Sequence, residues 1–419
     1  ITGALNWTGG QIGNSGVTGT VLVSGVTTIS GSLGKNIYGK TLSVSGGGTY
    51  DGSGLGISYG GKLNIAAGST FTANSTASIS NYSGTAAIDI YGTFARSAAG
   101  TITINSGVLF NNYGTVSVTD GNILVNGDGT ETGTFAIATG GKFTFGSGTY
   151  TLNGTTSSGA GTIENTSTLT LASNSQIENL TFNGGTLLGN FDLNITGALN
   201  WISGQIGNSG VTGTVLVSGV TTISGSLGKS IYGKTLSVSG GGTYDGSGLQ
   251  ISYGGKLNIA AGSTFTANST ASISYYSGTA AIDIYGTFAR SAAGTITITN
   301  GILFNNYGTV SVTDGNILVQ GGGTETGTFA IATGGKFTFG SGTYTLNGTT
   351  SSGAGTIEIT DGALTLASDI TLSHTLTTQS GGTINGGTIG TPYNLTLGGG
   401  YNMSGGIMVN VGDATITGA

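Results

Sequence analysis

Short apolar-polar-apolar triplets recur along the chain and are separated by glycine-rich segments. Leu42-Ser43-Val44 and Ile102-Thr103-Ile104 are two examples, and the middle residue is typically Ser, Thr, Asn or Asp. Side chains alternate between the two faces of a β-strand, so each triplet places its outer residues inward and its middle residue outward. The intervening sequences, such as SGGG, GSG and NG, permit the positive φ angles of tight turns. The pattern predicts strands of about three to five residues and no helix.

Two architectures are built from short one-sided strands joined by glycine turns: an array of β-sandwiches and a β-solenoid. Sandwich domains usually have longer strands and a repeat of about 100 residues. The triplets of this chain follow one another more closely than that. A coil of two or three strands and roughly 20 to 25 residues suits their spacing better, with neighbouring coils about 4.8 Å apart. The predicted fold class is all-β, a right-handed parallel β-helix whose handedness follows the rule for parallel crossovers.

The sequence contains a tandem duplication. Residues 1–164 align without gaps with residues 195–358, and about ten positions differ. Among the differences are Thr8 against Ile202, Gly56 against Gln250, Asn81 against Tyr275 and Asp128 against Gly322. Most of them exchange small or polar residues at turns, where surface loops tolerate change. We therefore predict one solenoid module at 1–194, a second at 195–370 and a divergent solenoid continuation at 371–419.

The continuation differs from the corresponding part of the first module. It contains the only histidine, the only proline and both methionines, namely His374, Pro392, Met403 and Met408. It leads at Ile416–Ala419 into ITGA, the sequence that begins each module. The rims of a solenoid carry unpaired strand edges that normally need a cap. Neither end of the sequence shows a polar cap or a helix, so we expect each rim to be continued by more chain or by another subunit.

Charged residues are scarce, at 6% of the chain against about 25% in an average globular protein. Glycine accounts for 85 of 419 residues, cysteine is absent, and the net charge is −6 without any cluster of Lys and Arg. The 36% of hydrophobic residues favours a packed core over disorder. Without a basic patch, neither nucleic acid nor an anionic membrane is an expected partner. No apolar run is long enough to insert into a membrane.

The segment from Phe94 to Ile163, which begins FARSAAGTITINSGVLFNNYGTVSVTDG, resembles repeats of very large secreted bacterial proteins. These are proteins of the filamentous haemagglutinin and autotransporter-adhesin type. The LNWTGGQI sequence at Leu5–Ile12 is similar to the start of the same repeat unit. The resemblance implies a parallel β-helix exported to the cell surface, where it serves as an adhesin stalk, a matrix component or a fibre. It implies no catalytic residues, and the tail from Thr371 to Thr415 departs from the repeat.

Polysaccharide-cleaving β-helices need paired carboxylates, so the acidic residues were considered as a catalytic set. They lie singly in the sequence, at Asp51, Asp89, Asp120, Glu131 and Glu164 and at their counterparts Asp245, Asp283, Asp314, Glu325 and Glu358. Asp89 with Arg96 is the nearest candidate for an acid beside a base, and a surface ion pair or no interaction at all is the simpler interpretation. His374 has no neighbouring acid and is interpreted as a structural histidine, solvent-facing or stacked, rather than a general base.

Three further patterns resemble binding sites. Asn126–Gly133 has the Asp-Gly turn and glutamate of a calcium loop, but the EF-hand spacing is incomplete, and a plain turn is favoured. The glycine runs Ser45–Gly54 and Ser239–Gly248 lack the Gly-Lys-Ser/Thr sequence and the helix of a phosphate loop. Tyrosines in GGTYDG, ISYGG and FNNYGT stand near turns, where their rings can stack on sugars. We predict no catalytic, cofactor-binding or metal-binding residue.

Taken together, these patterns favour a non-enzymatic, extracellular structural protein. Its glycine-rich β-solenoid modules would self-assemble end to end into a fibre, sheath or adhesin stalk at the cell surface. The expected partner is another solenoid segment, stacked head to tail, and surface glycans are a second candidate. The alternative function is a carbohydrate-binding or carbohydrate-cleaving β-helix. Ice binding by threonine ladders in GTITI and GTYTL is a weaker hypothesis, since no regular Thr-x-Thr array is sustained.

Overall fold

A computed structural model of the chain describes residues 1–379, 381–388 and 390–417. These residues form strands, turns and loops, and no helix occurs among them. They divide into two compact units, Ile1–Leu199 and Asn200–Ala419. Gly418 and Ala419, the last two residues of the predicted ITGA junction, lie outside the described residues.

Each unit is a parallel β-solenoid with three strands per coil. On one side of the first unit, Leu5 pairs with Thr27 and Thr27 pairs with Gly48, so successive coils advance by 22 and 21 residues (27 − 5 and 48 − 27). The two other strands of each coil pair in the same manner, which gives three stacked ladders that we call faces 1, 2 and 3. The predicted all-β solenoid with short parallel strands is confirmed.

The strands of the first unit fall on the three faces in rotation. Face 1 comprises Leu5–Trp7, Thr27–Ile29, Gly48–Tyr50, Thr70–Ala73, Thr93–Arg96, Thr115–Val118, Thr134–Ile137, Thr156–Ser158, Ser175–Ile177 and Leu193–Ile195. Face 2 comprises Gly10–Gly13, Lys35–Tyr38, Leu55–Ser58, Ile79–Ser80, Thr101–Ile104, Asn122–Val125, Lys142–Phe145, Thr162–Asn165 and the start of Leu180–Leu188. Face 3 comprises Thr20–Val23, Thr41–Val44, Gly61–Ile65, Ala86–Ile90, Val108–Asn112, Gly129–Glu131, Thr149–Leu152, Thr168–Leu171 and the end of Leu180–Leu188.

The second unit repeats this order. Face 1 comprises the start of Leu199–Gly207, then Thr221–Ile223, Gly242–Tyr244, Thr264–Ala267, Thr287–Arg290, Thr309–Val312, Thr328–Ile331 and Thr350–Ser352, followed by a ladder of Ile370–Leu372, Leu395–Leu397 and Ala414–Ile416. Face 2 comprises the end of Leu199–Gly207, then Lys229–Tyr232, Leu249–Ser252, Ile273–Ser274, Thr295–Ile298, Asn316–Val319, Lys336–Phe339, Thr356–Ile359, Thr375–Thr378 and Tyr401–Met403. Face 3 comprises Thr214–Val217, Thr235–Val238, Gly255–Ile259, Ala280–Ile284, Ile302–Asn306, Gly323–Glu325, Thr343–Leu346, Ala363–Leu366, Thr383–Asn385 and Ile407–Val409.

The divergent tail keeps the three-strand coil despite its different sequence. The strand Thr375–Thr378 pairs in parallel with Tyr401–Met403, and Thr383–Asn385 pairs in parallel with Ile407–Val409. One insertion interrupts the winding, because Gly387–Thr388 pairs with Thr391–Pro392 as the two strands of an antiparallel ladder. The tail is therefore a solenoid continuation that carries a small hairpin on its surface.

The inward positions of the strands form a continuous apolar core in each unit. Phe143 illustrates the packing, since its ring centroid lies 4.7 Å from that of Phe135 and 4.9 Å from that of Phe145. Such aromatic pairs add about 0.5–1.5 kcal/mol to the stabilisation from burial. The second unit repeats the cluster around Phe337, with a centroid distance of 4.9 Å to Phe329. Stacking of apolar residues along the coil axis thus holds each solenoid together.

The outward positions form ladders of neutral side chains. On face 1 of the first unit, Thr93 pairs with Thr115, Thr115 with Thr134, and Thr134 with Thr156. The hydroxyl oxygens of Thr134 and Thr156 lie 2.9 Å apart, within hydrogen-bond distance. Like charges at such directly paired positions would repel each other, whereas hydroxyls can bond along the ladder. The scarcity of charged residues follows from this stacking.

Glycine is required where one coil turns close against the coil beneath it. Gly121 has φ of 70°, in the left-handed region, and a side chain there would place its Cβ 2.3 Å from the carbonyl oxygen of Ala98. A residue other than glycine would suffer both backbone strain and a steric clash at this position. Contacts of this kind explain the high glycine content of the turns.

Replacing Phe143 by Ala is expected to lower the free energy of unfolding by about 3–5 kcal/mol, because the change opens a cavity among stacked aromatic rings. Phe337→Ala should have a similar effect, since its surroundings in the second unit are the same. The matched control is Thr151→Ala at an outward position, with an expected change within about 0.5 kcal/mol. Guanidinium unfolding followed by circular dichroism measures all three, and equal effects for Phe143 and Thr151 would contradict the assigned core.

Candidate functional site

In each unit, two surface carboxylates form ion pairs with lysines. The Lys62 Nζ is 3.0 Å from the Asp89 Oδ2, and the Asn111 amide donates to the Asp89 Oδ1 at 2.8 Å. The Lys142 Nζ is 2.8 Å from the Glu164 Oε2. The corresponding pairs of the second unit, Lys256–Asp283 and Lys336–Glu358, have distances of 3.3 and 2.8 Å. Partly exposed pairs of this kind contribute little to stability.

Asp89 and Arg96 do not form an ion pair, so of the two interpretations offered for them the absence of an interaction is the correct one. Arg96 is fully buried at an inward position of face 1, whereas Asp89 points outward from face 3. The Arg96 guanidinium donates to the carbonyl oxygens of Ala73 and Ser75, both at 3.0 Å, and to that of Ala99 at 2.7 Å. Burial lowers the pKa of Arg96, and the nearby Asp120 opposes the shift. Arg96 therefore ties two loops together from inside the solenoid.

His374 is a buried structural residue. Its ring is fully buried, and its Nε2 lies 2.9 Å from the carbonyl oxygen of Ser352, which requires the proton to be on Nε2. The Nδ1 atom is buried without a hydrogen-bond partner, and burial lowers the pKa of the imidazole. A neutral, enclosed ring that no carboxylate orients cannot reach a substrate, so the structural interpretation of His374 is supported over the general base.

The Asn126–Gly133 segment is a turn rather than a calcium loop. The Asp128 Oδ1 accepts a hydrogen bond of 2.7 Å from the backbone amide of Thr149 on the next coil. Glu131, the other expected ligand, is fully buried on the inward side of its strand. The two carboxylates thus point in different directions and cannot share a cation.

The glycine runs compared above with a phosphate loop form ordinary strands and turns of the solenoid coils. Ser45–Gly54 contains the strand Gly48–Tyr50 between two turns, and the next element is another strand, Leu55–Ser58. Without a helix N-terminus the run lacks the dipole and amide cluster that bind phosphate. Tyr50, which was considered for sugar stacking, is fully buried, so that expectation is wrong for this residue.

A buried polar cluster that sequence reasoning did not anticipate lies inside face 3 of each unit. Glu131 pairs with Asn112 along the ladder, and neither of its carboxylate oxygens has a hydrogen-bond partner. The buried Tyr150 hydroxyl also lacks a partner, and it lies near enough for Glu131 to raise its pKa. Burial raises the pKa of Glu131 well above its ordinary value of 4.5. Glu325 and Tyr344 repeat the arrangement, so each unit encloses a glutamic acid that favours its neutral form.

Three consecutive loops between faces 1 and 2 form a shallow polar groove of about 570 Å³ in the first unit. Its lining residues include Asp51, Asn74 and Thr76, and Asp51 is exposed. A groove of about 520 Å³ occurs at the corresponding place of the second unit, around Asp245. One carboxylate among hydroxyls and amides can bind water or a polar ligand, but it lacks the second carboxylate that glycoside hydrolysis requires.

Exposed tyrosines lie along the edges of the solenoid. Tyr59, in the predicted ISYGG sequence, is 41% exposed and contacts Tyr38 at a ring-centroid distance of 5.2 Å. Tyr113, in FNNYGT, is 40% exposed and stacks on Tyr91 at 5.0 Å. The structure therefore places these two of the predicted tyrosines where a ligand can reach them.

Neither a metal centre nor a membrane span is found among the described residues. No group of three or more His, Asp or Glu side chains in residues 1–379, 381–388 and 390–417 could hold a metal ion. No helix of the described part of the chain could span a membrane. Comparison with models of known protein families gives no match, and comparison with curated proteins gives none either. The function must therefore be argued from the arrangement of the residues themselves.

The buried glutamic acids predict an unusual dependence of stability on pH. Because their pKa is raised in the folded state, the folded protein retains protons that the unfolded chain releases above about pH 4.5. Stability is then greatest below that pH and falls as the pH rises, by up to about 1.4 kcal/mol per pH unit for each group. Relative to the native protein, Glu131→Gln/Glu325→Gln should gain stability as the pH rises above about 4.5, measured by guanidinium unfolding.

Glu164→Gln is a control with the opposite sign. Burial opposes ionisation of Glu164, but hydrogen bonds from Lys142 and Asn183 outweigh it and lower its pKa. This variant should therefore lose stability relative to the native protein as the pH rises through the acid range. A constant offset between the Glu131→Gln/Glu325→Gln variant and the native protein at all pH values would show that the two buried carboxyls do not titrate abnormally.

Proposed function

We propose that this chain is a non-enzymatic, extracellular structural protein, a segment of a fibre, sheath or adhesin stalk that lengthens by end-to-end stacking of solenoid coils. The observation that carries the proposal is the repeated stacking of three-strand coils in each unit, with an apolar core inside and neutral ladders outside. The strands Tyr401–Met403, Ile407–Val409 and Ala414–Ile416 pair with the preceding coil and form the last rim of the described residues.

The rim exposes side chains that belong to the core. Met403 pairs with the buried Thr378, and Ile416 pairs with the buried Leu397, so both occupy inward positions. Their side chains are nevertheless 50% and 51% exposed. Unpaired strand edges beside exposed apolar residues are a template for the addition of further strands. A following coil would bury these residues and satisfy the free backbone groups.

The proposed occupant of the rim is the first coil of a second copy of this chain. Ile195 ends the face 1 ladder of the first unit, and Ile416 ends the face 1 ladder of the second unit. Both are followed by Thr and Gly, as is Ile1, where the sequence of the module begins. The coil that follows Ile195 within the chain is therefore a pattern for the coil that we propose beyond Ile416.

The composition of the outer surface supports a structural rather than a catalytic role. Outward ladders such as Thr93, Thr115 and Thr134 are neutral, and two carboxylates of each unit are paired with lysines. The resemblance of Phe94–Ile163 to repeats of secreted bacterial adhesins supports the placement outside the cell. Rigid, repetitive and weakly charged surfaces suit a stalk that holds other domains away from the cell.

Electron microscopy and light scattering of the purified chain at increasing concentration test this proposal. We expect rods that lengthen with concentration as copies stack. Met403→Lys/Ile416→Lys should abolish the lengthening, because two desolvated ammonium groups would have to enter the stacked interface. Asn402→Lys/Thr415→Lys is the matched control, since it places the same charges on the same strands at outward positions.

Single, non-associating particles of the native chain at every concentration would reject the stacking of copies. Equal association of the inward and outward lysine variants would show that any observed association does not use this rim. Circular dichroism of both variants distinguishes a loss of stacking from a loss of folding.

A further inference from the structure

Tyrosine rings form a ladder along one edge of each unit. We call the loops that join face 2 to face 3 the second edge. In the first unit Tyr38, Tyr59 and Tyr82 reach it from successive coils, and the Tyr38 and Tyr59 ring centroids are 5.2 Å apart. Tyr82 is 67% exposed, one of the most exposed large side chains of the chain. Three successive coils thus each carry one tyrosine at this edge, of which Tyr59 and Tyr82 are exposed.

The second unit carries the same ladder. Tyr232 and Tyr253 are 5.2 Å apart, and Tyr253 and Tyr276 are 6.0 Å apart. Tyr276 is 69% exposed. The rings do not lie in one plane, since Tyr232 and Tyr253 are nearly perpendicular, at 83°, and Tyr253 and Tyr276 are tilted by 52°. Tyr276, the most exposed of the three, is therefore the ring against which a sugar can stack.

The backbone at the centre of the ladder is strained in both units. Tyr59 has φ of 57° and Tyr253 has φ of 55°, in the left-handed region that favours glycine. The neighbouring turn positions are glycines, and glycine at Tyr59 would remove the strain. A bulky residue held in this conformation in both copies indicates a role for its ring, since strain of this kind is often found at binding sites.

The edge is rigid before any ligand binds. The hydroxyl of Ser58, which is fully buried, accepts a hydrogen bond of 2.8 Å from the Tyr82 amide. The Tyr59 amide donates to the carbonyl oxygen of Ser83 at 2.8 Å. Ser252 and Ser277 make the same contacts with Tyr276 and Tyr253. Preorganised aromatic surfaces bind with a smaller loss of conformational entropy.

The differences between the two copies concentrate at this edge. The ten positions of residues 1–164 that differ from residues 195–358 are 8, 9, 36, 56, 81, 105, 106, 108, 126 and 128. Five of them, 81, 105, 106, 126 and 128, lie in loops of the second edge. Positions 36 and 56 are on the adjoining face 2 strands, position 108 begins a face 3 strand, and only 8 and 9 lie in loops between faces 1 and 2. Loops between faces 3 and 1 contain no difference, although they are loops of the same kind.

Two of these differences remodel the tyrosine ladder itself. A Cβ on Gly56 would lie 2.7 Å from the Tyr82 ring, so the glycine lets that ring rest on the strand. Gln250 replaces this glycine in the second unit and hydrogen-bonds to the Tyr232 hydroxyl.

The other change adds an aromatic ring. The Asn81 amide donates to the carbonyl oxygen of Gly84 at 2.6 Å, and the Tyr275 hydroxyl makes the equivalent bond to Gly278 at 2.6 Å. The substitution thus keeps the hydrogen bond and adds a fourth tyrosine to the edge. The two units present different versions of one surface.

We propose that the second edge of each unit binds an extended neutral polysaccharide, and that the two copies prefer different sugars. Aromatic faces suit the apolar faces of sugar rings, while phenol, amide and hydroxyl groups bond to sugar hydroxyls. The rings at this edge are uncharged phenols, so the proposed ligand is neutral. This inference adds a ligand to the structural role and does not depend on the stacking of copies.

Binding of cellohexaose, chitohexaose and mannohexaose to the full chain, measured by isothermal titration calorimetry, tests the proposal. The variant Tyr82→Ala/Tyr276→Ala should bind about tenfold more weakly or worse. Both rings are exposed, so their removal should leave the thermal unfolding midpoint nearly unchanged. Tyr91→Ala/Tyr285→Ala, which removes exposed rings from another edge, is the matched control and should bind as the native chain does.

The single variants separate the two copies. Tyr82→Ala should reduce binding at the first unit and Tyr276→Ala at the second, and the two should rank the three hexasaccharides differently. Tyr59→Gly/Tyr253→Gly, which also relieves the backbone strain, is a second way to remove the ladder and should lose binding as well. No binding of any neutral hexasaccharide, binding of a heparin hexasaccharide alone, or equal loss with the Tyr91→Ala/Tyr285→Ala control would overturn the proposal. Identical rankings would overturn its second part.

Discussion

The constraint on which this structure depends is that each coil must stack on the next at the distance between paired strands. Every inward residue then contacts the inward residues of the coils above and below, and every outward residue contacts its neighbours along a ladder. Threonines at 93, 115 and 134 satisfy this rule, whereas charges of one sign at the same positions would repel. Glycine is needed where a turn approaches a carbonyl of the preceding coil, as at Gly121. The low charge and high glycine content are consequences of one geometry.

The same geometry explains why basic residues occur inside the solenoid. At the edges, loops turn some of their carbonyl groups away from water, and these groups need donors. The Lys35 Nζ lies 3.0 Å from the carbonyl oxygen of Gly31 and 2.7 Å from that of Leu33, and Arg96 binds three carbonyls in the same manner. Burial lowers the pKa of both groups, while the multiple hydrogen bonds satisfy the donors of the lysine and most of those of the arginine. Lys35 and Arg96 therefore connect neighbouring loops by hydrogen bonds rather than acting as reactive bases.

The strands, their parallel stacking and the alternation of their side chains could be predicted because apolar residues mark the inward positions. Leu42 and Val44, for example, are both fully buried as expected. The same reasoning failed where an inward position holds a polar residue. Arg96 and Glu131 each stand two positions after an inward residue, so the alternation of the strand places both side chains inside. Their charge, however, led us to expect them at the surface. Which loops meet at an edge could not be predicted either, because coil lengths vary, so the tyrosine ladder became visible only in three dimensions.

Residues on the faces of the solenoid are more constrained by packing than residues in the loops at its edges. A binding site can therefore evolve more easily at an edge. A residue on a face must suit two neighbouring coils at once, so a change there disturbs two sets of contacts. Loops at an edge are freer, yet they are not all equivalent. Those between faces 1 and 2 are held by Lys35 and Arg96, and those between faces 3 and 1 by bonds such as that from the Ser69 hydroxyl to the carbonyl oxygen of Val44. The second edge is also held, through Ser58, yet it combines such bonds with exposed aromatic rings and with five of the ten differences between the copies. The proposed recognition of a ligand would account for that combination.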